Sequence, residues 1–217
     1  MKKITLTLIF TVLSLSIFAQ ITHTKDGSVD QNAEKILKKA AQKINDGTVS
    51  FSVTMTNKNP EKKITAKMEA NVLYYKGKYR VSFDDNVVYC NGNEIQHWNK
   101  GTNELVINNM SEDDDNLMNP ANLLANYSKN YKAKFIRQET NGNAVIDLTP
   151  KKTKSYYKIR LIINANNGII QNMEMHNYDS SCGEYKVTNF KGGLKYNESD
   201  YTFSKSKNPG VEVIDMR

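Results

Sequence analysis

The sequence has few of the residues that most often mark a catalytic or metal centre. Its 217 residues include only two cysteines, Cys90 and Cys182, three histidines and one tryptophan. Two cysteines do not make a disulfide framework, and no cysteine or histidine spacing fits a metal site. A single disulfide and two separate, inert thiols both stay open. The chain also lacks a Gly-x-Gly-x-x-Gly string and a phosphate-binding loop, which excludes the common nucleotide-binding signatures.

Arrangements for acid-base or nucleophilic chemistry are missing as well. No Gly-x-Ser-x-Gly or Ser-x-x-Lys pattern surrounds Ser180 or Ser181. Glu174 and His176 would share one face of a strand, but two groups alone do not form a metal site. The sequence therefore predicts no enzyme, no metal and no cofactor.

Charge is mildly positive, with a formal net charge of +7, and the basic residues are scattered along the chain. Nothing in the sequence resembles a module that reads DNA or RNA, so we expect no nucleic-acid partner. A solvated surface is the simple interpretation of the lysines. Weak attraction to anionic lipid headgroups is the functional alternative.

The first 19 residues are typical of a secretory signal peptide. They combine two lysines, an uncharged apolar run and a small final residue. The run is short and rich in Thr and Ser for a membrane span, although a retained anchor is the alternative. A lipid-anchored bacterial precursor needs cysteine at the cleavage point, where this chain has Gln20. We therefore expect a soluble exported protein with one domain over residues 20–217.

The mature chain opens with a predicted amphipathic helix over residues 28–47. Its apolar positions recur at helical spacing: Ala33, Ile36, Leu37, Ala40, Ala41 and Ile44. Ser28 with Gln31 forms a capping box, and Gly47 stands where the helix ends.

After Gly47 the apolar period changes to two, and turn residues separate short runs almost to the end of the chain. We expect a meander of about 10 to 11 antiparallel strands. An acidic run at 112–115, interpreted as a solvated loop, precedes a second short helix that starts at Asn119 and Pro120. Residues 201–217 predict two last strands around a break at Pro209, the final one adding to a sheet edge or crossing the structure.

Two short helices cannot tightly cover one face of so many strands. The periodicity alone leaves two alternatives open, an apolar cavity between sheet and helices or a fully packed core.

The order of these features resembles the periplasmic outer-membrane lipoprotein carrier family, the LolA type. The resemblance covers the whole mature chain, and it rests on a glycine hairpin before an aromatic residue, a Leu-x-Pro strand end, a glycine turn before an apolar strand and a C-terminal Pro-Gly-Val-x-Val string. The residues that match are Asn91, Gly92, Ile95, Trp98, Leu148, Thr149, Pro150, Gly168, Ile169, Met173, Tyr201, Phe203, Pro209, Gly210, Val211 and Val213.

This resemblance implies an unclosed half β-barrel whose concave face is covered by a lid of helices. It also implies a carrier that binds the acyl chains of lipoproteins released from the inner membrane and delivers them to the outer membrane. Its partners would be acylated lipoproteins, an inner-membrane releasing complex and an outer-membrane acceptor, and we expect a monomer. The alternatives are a carrier of another amphiphile, such as a glycolipid or free lipid, and a hydrolase or structural protein with a dry core.

The acyl-chain cavity predicted from the resemblance is lined by one face of the first strands and by the second helix. Its residues are Phe51, Val53, Met55, Met68, Val72, Tyr74, Tyr79, Val81, Phe83, Leu123, Leu124 and Tyr127. Met55, Met68, Met173 and Met175 suit an adaptable wall for acyl chains, and equally suit the filling of an ordinary core. The family closes its lid with the arginine of an Arg-Pro turn, and here Lys76 and Gly77 occupy that turn. The latch is therefore expected to be weaker at Lys76, relocated to Arg80, or absent.

Overall fold

The computed structural model describes residues 30–110 and 120–217. The predicted signal peptide, Ser28 of the capping box and the acidic run at 112–115 lie outside the described residues. The helices and strands run in the order α1 (Gln31–Asn45), β1 (Thr48–Lys58), β2 (Ile64–Tyr75), β3 (Lys78–Phe83), β4 (Asn86–Cys90), β5 (Glu94–Asn99), β6 (Glu104–Asn109), α2 (Pro120–Asn130), β7 (Tyr131–Gln138), β8 (Asn143–Pro150), β9 (Tyr156–Asn164), β10 (Ile170–Asn177), β11 (Cys182–Leu194) and β12 (Glu212–Asp215).

Helix α1 forms because its apolar residues share one face and its first turn is capped. The cap is Asp30, and not Ser28 as the sequence suggested, since the Asp30 carboxylate accepts the backbone N–H groups of Asn32 and Ala33 at 3.1 Å. The predicted apolar face is confirmed. Four of its residues are buried, and Ile36 and Ala41 pack partly buried against the same core.

The described strands form one unclosed sheet in the order β12-β6-β5-β4-β3-β2-β1-β11-β10-β9-β8-β7. The predicted open half-barrel is confirmed, with twelve strands instead of 10 to 11. Neighbouring strands are antiparallel except β12, which pairs with β6 in parallel. The sheet ends at two edges, β12 and β7, as an open barrel requires.

The two faces of the sheet have different coverings. We call the face that packs against α1 and α2 the inner face and the other the outer face. The inner face carries the main core, which includes Leu37 of α1, Leu124 of α2 and Leu161 of β9. The alternation of buried and half-exposed residues along β3 and β9 follows from the period of two in a strand. No helix in the described ranges is long and apolar enough to span a membrane.

The C-terminal segment covers part of the outer face before it becomes β12. The strand predicted at the start of residues 201–217 is wrong, because Glu198–Tyr201 and Lys205–Lys207 are short 3-10 helices. Between them the backbone N–H of Phe203 donates to the side-chain oxygen of Gln96 at 2.7 Å, so it takes no place in a strand ladder. Phe203 forms a second, smaller core with Leu105 and Ile107 of β6. The chain therefore both crosses the sheet and adds to its edge.

Both cysteines are buried free thiols. Burial raises the pKa of the Cys90 and Cys182 thiols, which lowers the fraction of reactive thiolate at a given pH. We expect Ellman's reagent to modify neither thiol rapidly in the folded protein at pH 8 and to titrate two thiols per chain in denaturant. A native chain that gives no thiol after denaturation without reductant would carry a disulfide and contradict the structure.

Candidate functional site

The inner face brings the residues of the predicted cavity together. Eight of them are buried in the main core: Phe51, Val53, Val72, Tyr74, Tyr79, Val81, Leu123 and Leu124. Met55, Phe83 and Tyr127 are partly buried against that core. Met68 is half-exposed and lies directly opposite Met55 across β1 and β2. All the predicted strand positions thus share one face, while their part in ligand binding stays a prediction.

A row of methionines continues this face toward one end of the sheet. Met55 of β1 pairs with Met68 of β2 on one side and with Tyr185 of β11 on the other. We call Met55, Met68, Met175 and Tyr185, all half-buried, the methionine row. Met175 stands opposite Gly183, where a Cβ would lie 3.3 Å from the Tyr185 ring. The missing side chain of Gly183 therefore makes room for that ring beside Met175.

The methionine row is suited to an apolar ligand of variable shape. Thioether side chains are flexible and polarisable, so they repack around different chains at low cost. Burial raises the pKa of the Tyr185 hydroxyl, which therefore stays neutral over the ordinary pH range.

A small apolar cleft opens beside the C-terminal half of α1. It lies between Ile44 of the helix and Ile170, Val187 and Phe190 of the sheet. The Phe190 ring stacks on Phe51 with centroids 6.4 Å apart, and the Lys43 ammonium lies 5.8 Å above the Phe190 ring. The cleft is a second place where the inner face is open at the edge of the helix.

Sequence reasoning missed Phe190 because a bulge changes its face. Ser52 pairs with Thr188 but Ser50 pairs with Lys191, so β11 has one extra residue at this point. Asn189 takes a positive φ of 54° in that bulge. Without the bulge, strict alternation would place Phe190 on the outer face, whereas Val187 lies on the inner face. Asparagine tolerates this backbone conformation, which is the one local signal in the sequence.

The residues of β8 and β9 in this core were also missed, although their signal was present. Ile146, Leu148, Ile159, Leu161 and Ile163 are fully buried in the main core. Their alternation predicted the strands, but not that these strands lie under the helices.

Polar contacts at three points fasten α1 to the sheet. At its N-terminus the Asp30 carboxylate accepts the backbone N–H of Phe135 in β7 at 2.8 Å. In its middle the Lys39 ammonium donates to the carbonyl oxygens of Ala165, at 3.2 Å, and Asn166 in the β9–β10 turn. Near its C-terminus the Tyr74 hydroxyl donates to the Asn45 side chain at 3.4 Å.

The β9–β10 turn also contacts α1 through Gly168. Its φ is +76°, and a Cβ there would lie 2.8 Å from the backbone oxygen of Lys39. Only glycine fits both the backbone conformation and this approach. Lys39 and Gly168 therefore join the helix to a turn more than 120 residues away in the chain.

The latch assigned to Lys76 and Arg80 has no supporting contact in the described residues. The Lys76 ammonium lies 5.5 Å from the ring of its neighbour Tyr75. Arg80 pairs with Asp200 of the C-terminal segment at 3.5 Å on the outer face. Neither partner belongs to α1 or α2, and the observed fastening residue is Lys39. A latch role for Lys76 or Arg80 stays a prediction.

The His176 and Glu174 pair lies on the outer face of β10 with Nε2 and Oε2 3.1 Å apart. Burial and the nearby Lys158 and Arg160 lower the pKa of His176, although Glu174 opposes this shift. In the described residues no group of three or more His, Cys, Asp or Glu side chains is placed to hold a metal ion.

Comparisons with solved structures found proteins that resemble this chain. An uncharacterized conserved protein from Thermus thermophilus superposes with a TM-score of 0.58 at 14% identity, over 85% of this chain and 99% of that one. A LolA superfamily protein from Nitrosomonas europaea matches at a TM-score of 0.44 and 14% identity, over 79% of this chain and 97% of that one. MucB matches at 0.44 and 12% identity, over 81% of this chain and 64% of that one.

This chain has the fold of an unclosed half-barrel whose inner face is covered by two helices. At 14% identity, the likeness to the Thermus thermophilus protein concerns this fold alone. No protein-family model matches the sequence, and a search of curated proteins found no match.

Proposed function

We propose that this LolA-like protein is a periplasmic carrier that binds the acyl chains of lipoproteins on its inner face and delivers them to the outer membrane. The observation that carries the proposal is the half-buried methionine row beside a core covered by two helices. A carrier needs an apolar wall that is shielded when empty and able to open. Each methylene that it buries contributes about 0.8 kcal/mol, so a few acyl chains supply ample binding free energy.

Reversible cover is the second requirement of a carrier. Helix α1 is fastened to the sheet by a small number of polar contacts, of which Lys39 to the β9–β10 turn is exposed. Net contributions of such contacts are about 1 kcal/mol each, and in the open state the burial of acyl chains must offset the exposure of Leu37 and Ile44. The proposed activity is binding and release without covalent chemistry, with a releasing complex and an acceptor as its partners.

A charge placed in the methionine row tests the binding site. Met55 is half-buried, so Met55→Glu is expected to fold, as far-UV circular dichroism would check. It should weaken the binding of a fluorescent fatty acid at least tenfold, because a carboxylate in an apolar contact costs well above the roughly 1.4 kcal/mol that tenfold represents.

The matched control is Thr54→Glu, one residue away on the outer face, where Lys186 and Glu69 stand opposite. Fatty-acid binding by this variant should equal that of the unchanged protein. Equal loss in both variants, or loss in neither, would place the ligand elsewhere.

The cargo is identified by mass spectrometry of molecules that copurify with the protein from envelope extract. Acylated lipoproteins support the proposal. Glycolipids or free lipids without lipoproteins would replace it with a carrier of another amphiphile. If no molecule copurifies and the protein binds no fatty acid, the core is dry and both carrier hypotheses are contradicted.

A further inference from the structure

Three connections of the sheet meet at the end where the methionine row lies. Strands β1, β11, β10 and β9 are neighbours, so the β1–β2, β10–β11 and β8–β9 connections lie side by side. We call residues 59–64, 178–181 and 151–157 the basic rim. Its parts are in contact, since the Lys62 ammonium donates to the carbonyl of Ser180 at 2.9 Å and the rings of Tyr157 and Tyr178 are 5.6 Å apart.

The basic rim carries an excess of positive charge. Five lysines stand on it against two carboxylates, Glu61 and Asp179; the lysines are Lys62, Lys63, Lys151, Lys152 and Lys154. On the adjoining strands Glu184 pairs with Lys58 and Asp147 pairs with Arg160, while Glu174 pairs with His176. Within the three segments of the rim, lysines outnumber carboxylates by five to two.

The rim also exposes apolar and aromatic side chains, which soluble surfaces rarely group together. Ile64 is 63% exposed, Tyr178 69% and Tyr157 41%. Tyrosine has an apolar ring and a polar tip, and such residues are enriched where a protein meets the headgroup region of a bilayer. Three large exposed side chains among five lysines therefore combine the two attractions that bind a protein to an anionic membrane surface.

We infer that the basic rim docks the protein on the surface of an anionic lipid bilayer. The lysines stand on long side chains in two of the three connections, residues 59–64 and 151–157, which suits a fluid array of headgroups better than the fixed pairing of a folded acidic partner. Strands β1 and β10, which carry Met55 and Met175, end at this rim. If the proposed carrier function holds, a lipid leaving the bilayer reaches the methionine row first.

The test is sedimentation of the purified protein with vesicles of phosphatidylglycerol and phosphatidylcholine. The unchanged protein should bind mixed vesicles, bind pure phosphatidylcholine vesicles at least tenfold more weakly, and lose binding as salt rises. The triple variant Lys62→Glu, Lys63→Glu, Lys152→Glu should bind mixed vesicles at least tenfold more weakly. Ile64→Ser with Tyr178→Ser should also weaken binding, without changing its salt dependence.

The matched control reverses three exposed lysines outside the rim, Lys35→Glu, Lys191→Glu and Lys195→Glu, which gives the same net charge. This variant should keep most of the vesicle binding. If both triple variants lost vesicle binding equally, the cause would be net charge, and the inference that the rim docks on membranes would be overturned. Failure of the unchanged protein to bind anionic vesicles would overturn it as well. Fatty-acid binding, measured on the same variants, should be unchanged. A failure of the membrane-docking inference can therefore be distinguished from a failure of the proposed carrier function.

Discussion

Gly168→Ala is expected to lower the free energy of unfolding by about 2 to 4 kcal/mol. Two costs combine at this position. The φ of +76° is unfavourable for a residue with a side chain, and the added Cβ would lie 2.8 Å from the backbone oxygen of Lys39. Because the obstacle is backbone and not the flexible end of a side chain, α1 must move away from the β9–β10 turn. Denaturant unfolding followed by circular dichroism measures the loss.

Gly193→Ala separates these two costs. Gly193 has a similar φ of +69°, but a Cβ there would meet no atom within 4 Å. This control should lose only the conformational part, about 1 kcal/mol. Hydrogen exchange should also show faster opening of α1 in the Gly168 variant alone. Equal destabilisation of the two variants would mean that the turn does not press against the helix.

Phe203→Ala is expected to destabilise the C-terminal segment by about 3 to 5 kcal/mol, the usual cost of removing a buried phenylalanine. The Phe203 ring is buried on the outer face, 5.2 Å from the ring of Trp98 and 6.2 Å from that of Tyr89. Its loss leaves Trp98 open to water. Since the chain has one tryptophan, the intrinsic fluorescence of the folded protein should shift to longer wavelength.

Ile214→Ala is the matched control in the same segment. Ile214 lies in β12 but is 40% exposed, so its truncation should cost less than about 1 kcal/mol and leave the emission of Trp98 unchanged. Hydrogen exchange of β6 and β12 should accelerate in the Phe203 variant and not in the control. An unchanged Trp98 emission after Phe203→Ala would mean that the two rings are not in contact.

The predicted inner-face positions of β1, β2 and β3 agree with the structure because each strand keeps a period of two over those positions. Val72, Val81 and Val88 face one another across three strands for this reason. The same rule failed at Phe190, since a one-residue bulge at Asn189 reverses the face of everything beyond it. This bulge is stabilised by the pairing of β11 with β1, and β1 lies more than 130 residues earlier in the chain.

The fastening of the helix shows a similar limit. Gly168 is predicted as a turn glycine, and Lys39 is not among the apolar positions predicted for α1. That one of them, Lys39, meets this turn depends on how the sheet curves around α1, which no local pattern records. The sequence at the family latch position pointed to Lys76 and Arg80 instead, and Arg80 turned out to pair with Asp200 on the outer face.

The sequence by itself determined the type of each long element, the face of most strand residues and the sheet class, since all three follow from periodicities within a dozen residues. The tertiary structure alone decided that β12 runs parallel to β6, that residues 195–211 cover part of the outer face, and that three turns, two of them rich in lysine, form one rim. These features join parts of the chain that lie far apart in sequence. Their free energies come from contacts that exist only once the sheet has formed.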